Sequence, residues 1–194
     1  MTPRTIGILG GSFDPVHIGH LALANYLAQF TWLDTVWLVL SPQNPFKSDS
    51  RLTADSHRWA MLRSALDPDS VIAPCDIELT MPRPSYMIDT LRRLKALHPA
   101  DRFILVIGSD NWANFPRWRE SDAIINEFGV MIYPRPGFDI DPATLPANVT
   151  FVPAPQVDLS STMIRKAIAQ GLDVNYLLPH GVYQYIISHH LYQP

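Results

Sequence analysis

Residues 10–20 read Gly-Gly-Ser-Phe-Asp-Pro-Val-His-Ile-Gly-His, and the types and spacing within this run suit the binding of phosphate. Gly10 and Gly11 lack Cβ atoms, so the backbone can turn sharply and approach an anion that a side chain would block. Pro15 stiffens the turn, and Gly19 permits a close approach to whatever follows. His17 and His20 stand three residues apart, which on a helix places both imidazoles on one face, directed toward the N-terminus. There the first N–H groups lack internal partners and the macrodipole is positive. An anion there would meet free amides and two imidazole donors.

The flanks supply the elements that this arrangement needs. Thr5 to Leu9 is β-branched and apolar, as a buried strand should be, and Leu21, Leu23, Ala24, Leu27 and Ala28 repeat at helical spacing. Taken singly, a glycine pair after a strand or a His-x-x-His is more often structural than functional. Imidazoles one helical turn apart can also share zinc, which needs a third and a fourth ligand. Cys75 is the only cysteine, and no glutamate follows His17 in the His-Glu-x-x-His manner. Zinc is disfavoured, with Asp14 the one residue that keeps it open.

Further along, apolar runs recur at Thr35 to Leu40, Phe103 to Ile107, Val130 to Tyr133 and Thr150 to Val152, interleaved with helical patterns. This βαβ rhythm predicts an α/β fold of Rossmann-like, doubly wound type: a mostly parallel sheet with helices on both faces. Ligands of such sheets bind beyond the carboxyl ends of the strands. Proline pairs at Pro42/Pro45, Pro82/Pro84, Pro134/Pro136 and Pro153/Pro155 mark loops rather than a linker. Arg83, between two of them, reads as a solvated loop arginine. Ser160 or Ser161 sits where an N-cap belongs, with Ile164, Ala167 and Ile168 at helical spacing and Gly171 beyond, so a helix from about Thr162 to Gln170 is expected. Its hydroxyls, its free amides and the planar fork of Arg165 could hold phosphate oxygens.

At 194 residues, 47% hydrophobic and 17% charged, the chain suffices for one domain with a substantial core. A single domain over 1–194 is the expectation. One cysteine excludes an intramolecular disulfide framework, and no long apolar segment follows a basic start, which points to a cytoplasmic protein without a membrane span. A formal net charge of -3 argues against a nucleic-acid binder, because backbone binding needs a basic face. Of the five tryptophans, Trp32, Trp37, Trp59 and Trp112 are expected to pack.

Residues 10–20 resemble the phosphate-binding signature of the nucleotidyltransferase superfamily, whose members carry His-x-Gly-His after the first strand. Within it the chain resembles the bacterial nicotinate-nucleotide adenylyltransferases. The likeness extends to Asn44 to Lys47, Ser85-Tyr86 with Thr90-Leu91, Ile107 to Asp110, Phe115-Pro116-Arg117-Trp118, Arg135-Pro136-Gly137 and Ser160 to Arg165.

The resemblance implies attack of the 5′-phosphate of nicotinate mononucleotide on the α-phosphorus of ATP, giving nicotinate adenine dinucleotide and pyrophosphate. His17 and His20 would contact the α and β phosphates, and Lys47 and Arg165 would take the departing pyrophosphate. ATP would also meet Gly10, Gly11, Ser12, Phe13, Gly19, Gly108, Ser161 and Thr162, with Asp110 on the ribose. Trp118 would stack on the pyridine ring, and peptides around Tyr86, Met87 and Arg119 would hold its carboxylate. Ser12, Asn44 and Lys47 would complete the mononucleotide site, with Arg135 on its phosphate. Magnesium would bridge the ATP phosphates with few or no protein ligands. A homo-oligomer is compatible with the sequence, which does not set the copy number.

The chain departs from this pattern in three places. The loop after the second strand lacks the histidine that many relatives place before its lysine, having Phe46 before Lys47. Met87 stands where threonine is common. Arg119 replaces a common aromatic, and its charge is expected to favour an acidic ring substituent. Phosphopantetheine adenylyltransferase is the nearest enzymatic alternative; it carries threonine in place of His17 and lacks Phe-Pro-x-Trp. Cytidylyltransferases are a further alternative, whereas class I aminoacyl-tRNA synthetases are disfavoured by length and by the missing Lys-Met-Ser-Lys-Ser loop. A nucleotide-binding sensor without turnover is the alternative from another class, and intact His17, His20 and Arg165 speak against it.

Overall fold

The structure is a computed structural model that describes residues 2–42 and 52–193. Six strands form one all-parallel sheet in the order β3-β2-β1-β4-β5-β6. They are β1 (Thr5–Gly11), β2 (Thr35–Leu40), β3 (Ile72–Cys75), β4 (Arg102–Gly108), β5 (Val130–Tyr133) and β6 (Val149–Phe151). Helices α1 (Ile18–Phe30), α2 (Asp55–Ser64), α3 (Met87–Leu97), α4 (Ser109–Trp112), α5 (Ser121–Glu127), α6 (Ser161–Ala169) and α7 (His180–Ser188) connect or cover them, with short 3-10 turns between.

The apolar strand residues divide by parity, as a sheet covered on both faces requires. Leu9, Val36, Leu38, Ile104, Val106 and Met131 pack with Leu27, Met61, Ile164, Ile168, Val182 and Ile186, residues of α1, α2, α6 and α7. Ile6, Ile8, Val39, Phe103, Leu105 and Ile132 pack with Ile88, Leu91, Leu94 and Ile124, residues of α3 and α5. The chain winds outward from β1 in both directions, so β1 and β4 flank the switch point where a crevice opens above the sheet. In register, Gly11 faces Leu40 and Gly108 faces Tyr133, which brings the strand ends to one edge.

The expected strands over 35–40 and 130–133 match the observed bounds, and the last begins one residue earlier than expected, where Val149 pairs with Val130. β3 has no counterpart in the sequence expectation, because Pro74 interrupts its apolar pattern. Proline is tolerated there because β3 is an edge strand. Trp32 departs from its expected packing role: it is half-exposed, with the Arg102 guanidinium 5.6 Å above its ring. Arg83 is paired with Asp55 rather than solvated alone. Among the described residues no helix is long and apolar enough to cross a membrane.

Candidate active site

β1 continues through Gly10 and Gly11, so the sharp turn falls later, at Phe13, whose φ is +43°. A non-glycine residue in that region is strained and persists only where its surroundings fix it. Phe13 is held as a buried side chain, and a Cβ on Gly11 would meet its ring at 2.9 Å. The glycine is thus required for the ring to fold back over β1, rather than for the turn itself. His17 is the N-cap of α1 in extended backbone. Its backbone N–H donates to His20 Nδ1 at 3.3 Å, and the two rings stack at 3.7 Å between centroids. Gly19 lets the His17 ring lie against the helix, since a Cβ there would stand 3.1 Å from it.

That hydrogen bond decides the tautomer of His20. A ring nitrogen that accepts cannot carry a proton, so neutral His20 holds its proton on Nε2 and presents one donor. Among the described residues the buried His17 Nδ1 has no hydrogen-bond partner, and an unsatisfied polar atom in such a place costs about 1 to 3 kcal/mol until something meets it. Burial, and then the Arg135 charge, lower the His17 pKa from 6.5 to about 4. Burial, His17 and Arg135 hold His20 well below the ordinary histidine value. Both rings are therefore neutral at pH 7.

The shift has a consequence for stability. Protonation is easier in the unfolded chain than in the folded one, so as pH falls from about 6.5 toward 4 the unfolded state takes up protons first and stability drops. A shift of this size corresponds to about 3 kcal/mol at its limit. In urea titrations across that window, His17→Asn should flatten the pH dependence; an unchanged slope would show that His17 does not titrate as described.

Beside this elbow, Ser160 caps α6 by accepting from Met163 N–H, while Ser161 Oγ donates to the Pro15 carbonyl at 2.9 Å. Arg165 Nη1 donates to the Asp14 carbonyl at 2.7 Å, and Nη2 donates to Thr162 Oγ1 at 3.3 Å. The start of α6 is thereby tied to the loop before α1. Helix α6 spans Ser161–Ala169, one residue earlier at each end than the sequence suggests.

On the other side of β1 lies a cleft of about 900 Å³, lined by Gly10, Gly11, Ser12, Gly108, Tyr86, Met87, Trp118 and Arg119 among others. Tyr86 is the N-cap of α3, and among the described residues no side chain caps that helix start, which leaves its first amides at the cleft wall. The Arg119 guanidinium lies 4.8 Å from the Tyr86 ring centroid and 3.6 Å from Asp89 Oδ2, so its charge is shared at the rim. Trp118 packs at 5.4 Å from Phe115. Asp110 and Arg135, which the resemblance assigns to different substrates, stand together at 3.8 Å, and Arg135 N–H donates to Ser109 Oγ. Asn44 and Lys47, with Phe46, lie outside the described residues.

Arg58, Glu78 and Tyr192 escaped the sequence reading, which considered Asp14 only as a possible zinc ligand. Arg58 is fully buried and spends its guanidinium on the carbonyls of Ser12, Ser41, Pro42 and Thr53 and on Asp55. Glu78 is buried at the cleft and accepts from Ser41, Ser85 and Thr90 hydroxyls at 2.8 to 2.9 Å. Asp14 is buried against Thr53 N–H and the Tyr192 hydroxyl. The only signal for Arg58 is a charge on the inward face of α2, between Met61 and Leu62 and the preceding turn.

A model of the cytidylyltransferase-like family matches residues 8–167. The chain is 47% identical over 188 residues to a Bacteroides fragilis (strain YCH46) protein that bears the name probable nicotinate-nucleotide adenylyltransferase, covering 97% of this chain and 94% of that one. A Bacteroides thetaiotaomicron relative of the same name is 47% identical over 180 residues, covering 93% and 89%. Among solved structures, the fold is similar to Plasmodium falciparum nicotinic acid mononucleotide adenylyltransferase complexed with NaAD, with a TM-score of 0.78, 27% identity and 97% of each chain covered. With the parallel sheet, the His-x-Gly-His elbow and the cleft at the β1/β4 switch point, these likenesses mean that the chain belongs to the nicotinate-nucleotide adenylyltransferases of the cytidylyltransferase-like family.

Proposed function

We propose that residues 1–194 act as one nucleotidyltransferase domain, in the cytoplasm, that transfers the adenylyl group of ATP to nicotinate mononucleotide and releases pyrophosphate. The observation that carries this is the orphaned, buried Nδ1 of His17 beside the Nε2 donor of His20 at the start of α1. Two neutral imidazoles and helix amides are suited to phosphate oxygens. The substrate phosphate attacks the α-phosphorus, the bond to the β-phosphate oxygen breaks, and pyrophosphate leaves with that electron pair. The protein aligns the two nucleotides and stabilises the charge that builds on the transferring group. No covalent enzyme intermediate is needed.

In this reading His17, His20 and the α1 amides grip the α and β phosphates, while Arg165, held by Asp14 and Thr162, receives the departing pyrophosphate together with Lys47. Asp110 meets the ribose. The nicotinate ring enters the cleft against Trp118, and its carboxylate takes the free amides at Tyr86 and Met87. Arg135 stands near both histidines and meets phosphate from that side. Among the described residues no three His, Cys, Asp or Glu side chains gather, and the Asp14 carboxylate is already taken by Tyr192 and Thr53. The imidazoles, amides and guanidinium of the site are suited to phosphate, and magnesium would enter as part of the nucleotide substrate, neutralising its phosphates.

The test is pyrophosphate release from magnesium ATP with nicotinate mononucleotide, nicotinamide mononucleotide or phosphopantetheine as acceptor. The first should win clearly, and a preference for phosphopantetheine would overturn the assignment. Binding of ATP without turnover on any acceptor would favour the sensor. In the same assay, an acid-to-amide ratio unchanged in Arg119→Ala would leave the choice of the acid to the backbone amides.

A further inference from the structure

Tyr192 lies beyond α7, yet its phenol reaches the phosphate elbow. The hydroxyl donates to Asp14 Oδ1 at 2.7 Å and stands 3.9 Å from Met61 Sδ. Asp14 is 1% exposed, and its second oxygen accepts from Thr53 N–H at 3.2 Å. Burial first, and then the Asp14 charge, raise the phenol pKa, so the oxygen keeps its proton and remains a donor. Arg165 meets the same residue in two ways. Its Nη1 donates to the Asp14 carbonyl at 2.7 Å but stays 3.9 Å from the carboxylate Oδ2.

A carboxylate and a guanidinium at this range commonly close into a direct charge-assisted pair. Here the phenol and the Thr53 amide occupy the carboxylate, the ion pair stays long, and the Arg165 side chain remains 30% exposed. An arginine neutralised by a closed pair would be a weaker partner for phosphate. One held by a backbone carbonyl keeps its position and most of its charge.

We infer that Tyr192 is a positioning residue for ATP: by engaging the Asp14 carboxylate, it sets the place and the available charge of Arg165 at the nucleotide phosphates. This rests on the proposed role of Arg165 toward ATP. Removing the phenol oxygen frees one face of Asp14 to swing onto Arg165, which weakens the hold on ATP without touching the cleft lined by Trp118.

Tyr192→Phe deletes that oxygen and leaves the ring. Calorimetric titration with magnesium ATP, in the absence of any acceptor, should show affinity reduced about fivefold, the scale of one hydrogen bond. Affinity for nicotinate mononucleotide should change by less than roughly twofold, since the single-site change acts on one substrate's contacts. In an Asp14→Asn background, where no carboxylate charge can be released, the effect on ATP should largely vanish. Equal weakening of both substrates, or a lowered melting temperature with ATP affinity intact, would make Tyr192 a structural anchor and overturn the inference. An undiminished effect in Asp14→Asn would overturn it as well. Turnover of the wild type with nicotinate mononucleotide reports separately on the functional reading, so a protein that binds ATP through this network but transfers nothing would sink that reading alone.

Discussion

His20→Ala lowers turnover by on the order of a hundredfold or more, the usual scale for removing one transition-state donor, with a smaller change in the KM for ATP. The neutral ring binds a ground-state phosphate oxygen modestly, and its Nε2–H bond strengthens as charge gathers during transfer, so the loss falls mainly on kcat. A second role must be separated from this one, because His20 Nδ1 also accepts the His17 backbone N–H at 3.3 Å and so closes the start of α1. His20→Asn distinguishes the two. An asparagine carbonyl stands where Nδ1 stood and can accept that N–H, but the side chain has nothing that reaches as far as Nε2. Stability should return toward wild type in this variant while turnover stays nearly as low as in alanine. If asparagine restored turnover, His20 would be a helix cap and not a phosphate donor.

What the sequence disclosed, and what it concealed, follows from how far each interaction reaches along the chain. The pairing of His17 with His20 was legible because the two are contiguous within one helical turn, where spacing fixes geometry. Strand positions were legible wherever apolar residues run unbroken, as in β2 and β5, and failed at β3, where edge placement permits Pro74. Ser160 as a cap and Arg165 one turn inside α6 were readable for the same local reason. The contacts of Asp14, Glu78, Arg58 and Tyr192 were not, because most of their partners lie on other elements. Tyr192 and Asp14 are 178 positions apart, and nothing local distinguishes Glu78 from an exposed acid until Ser41, Ser85 and Thr90 are brought around it. The location of the turn at Phe13 rather than at the glycines was also hidden, since strain in that residue is imposed by packing.

Arg58→Met should destabilise the fold by about 3 to 5 kcal/mol, the range for breaking a buried charged network from one side. Every N–H of this guanidinium is used: Nε on the Thr53 carbonyl, Nη1 on Ser12 and Ser41, Nη2 on Pro42 and Asp55. A buried ion pair replaced on both sides by apolar groups can be neutral or even favourable, but that outcome is closed here because four of the acceptors are main-chain carbonyls. Methionine fills the space and leaves those carbonyls without this donor. Arg58→Lys keeps the charge with three donors in place of five, so it should fall between methionine and wild type. Urea unfolding reads the difference as a lower midpoint at constant slope. A midpoint unmoved in Arg58→Met would mean that the carbonyls find water and that the buried guanidinium contributes no net stability. The same carbonyls flank the elbow at Ser12 and the exit of β2 at Ser41, so the substitution should also slow adenylyl transfer at urea-free conditions where the fold is intact, linking the stability of this buried hub to the alignment of the two nucleotides above it.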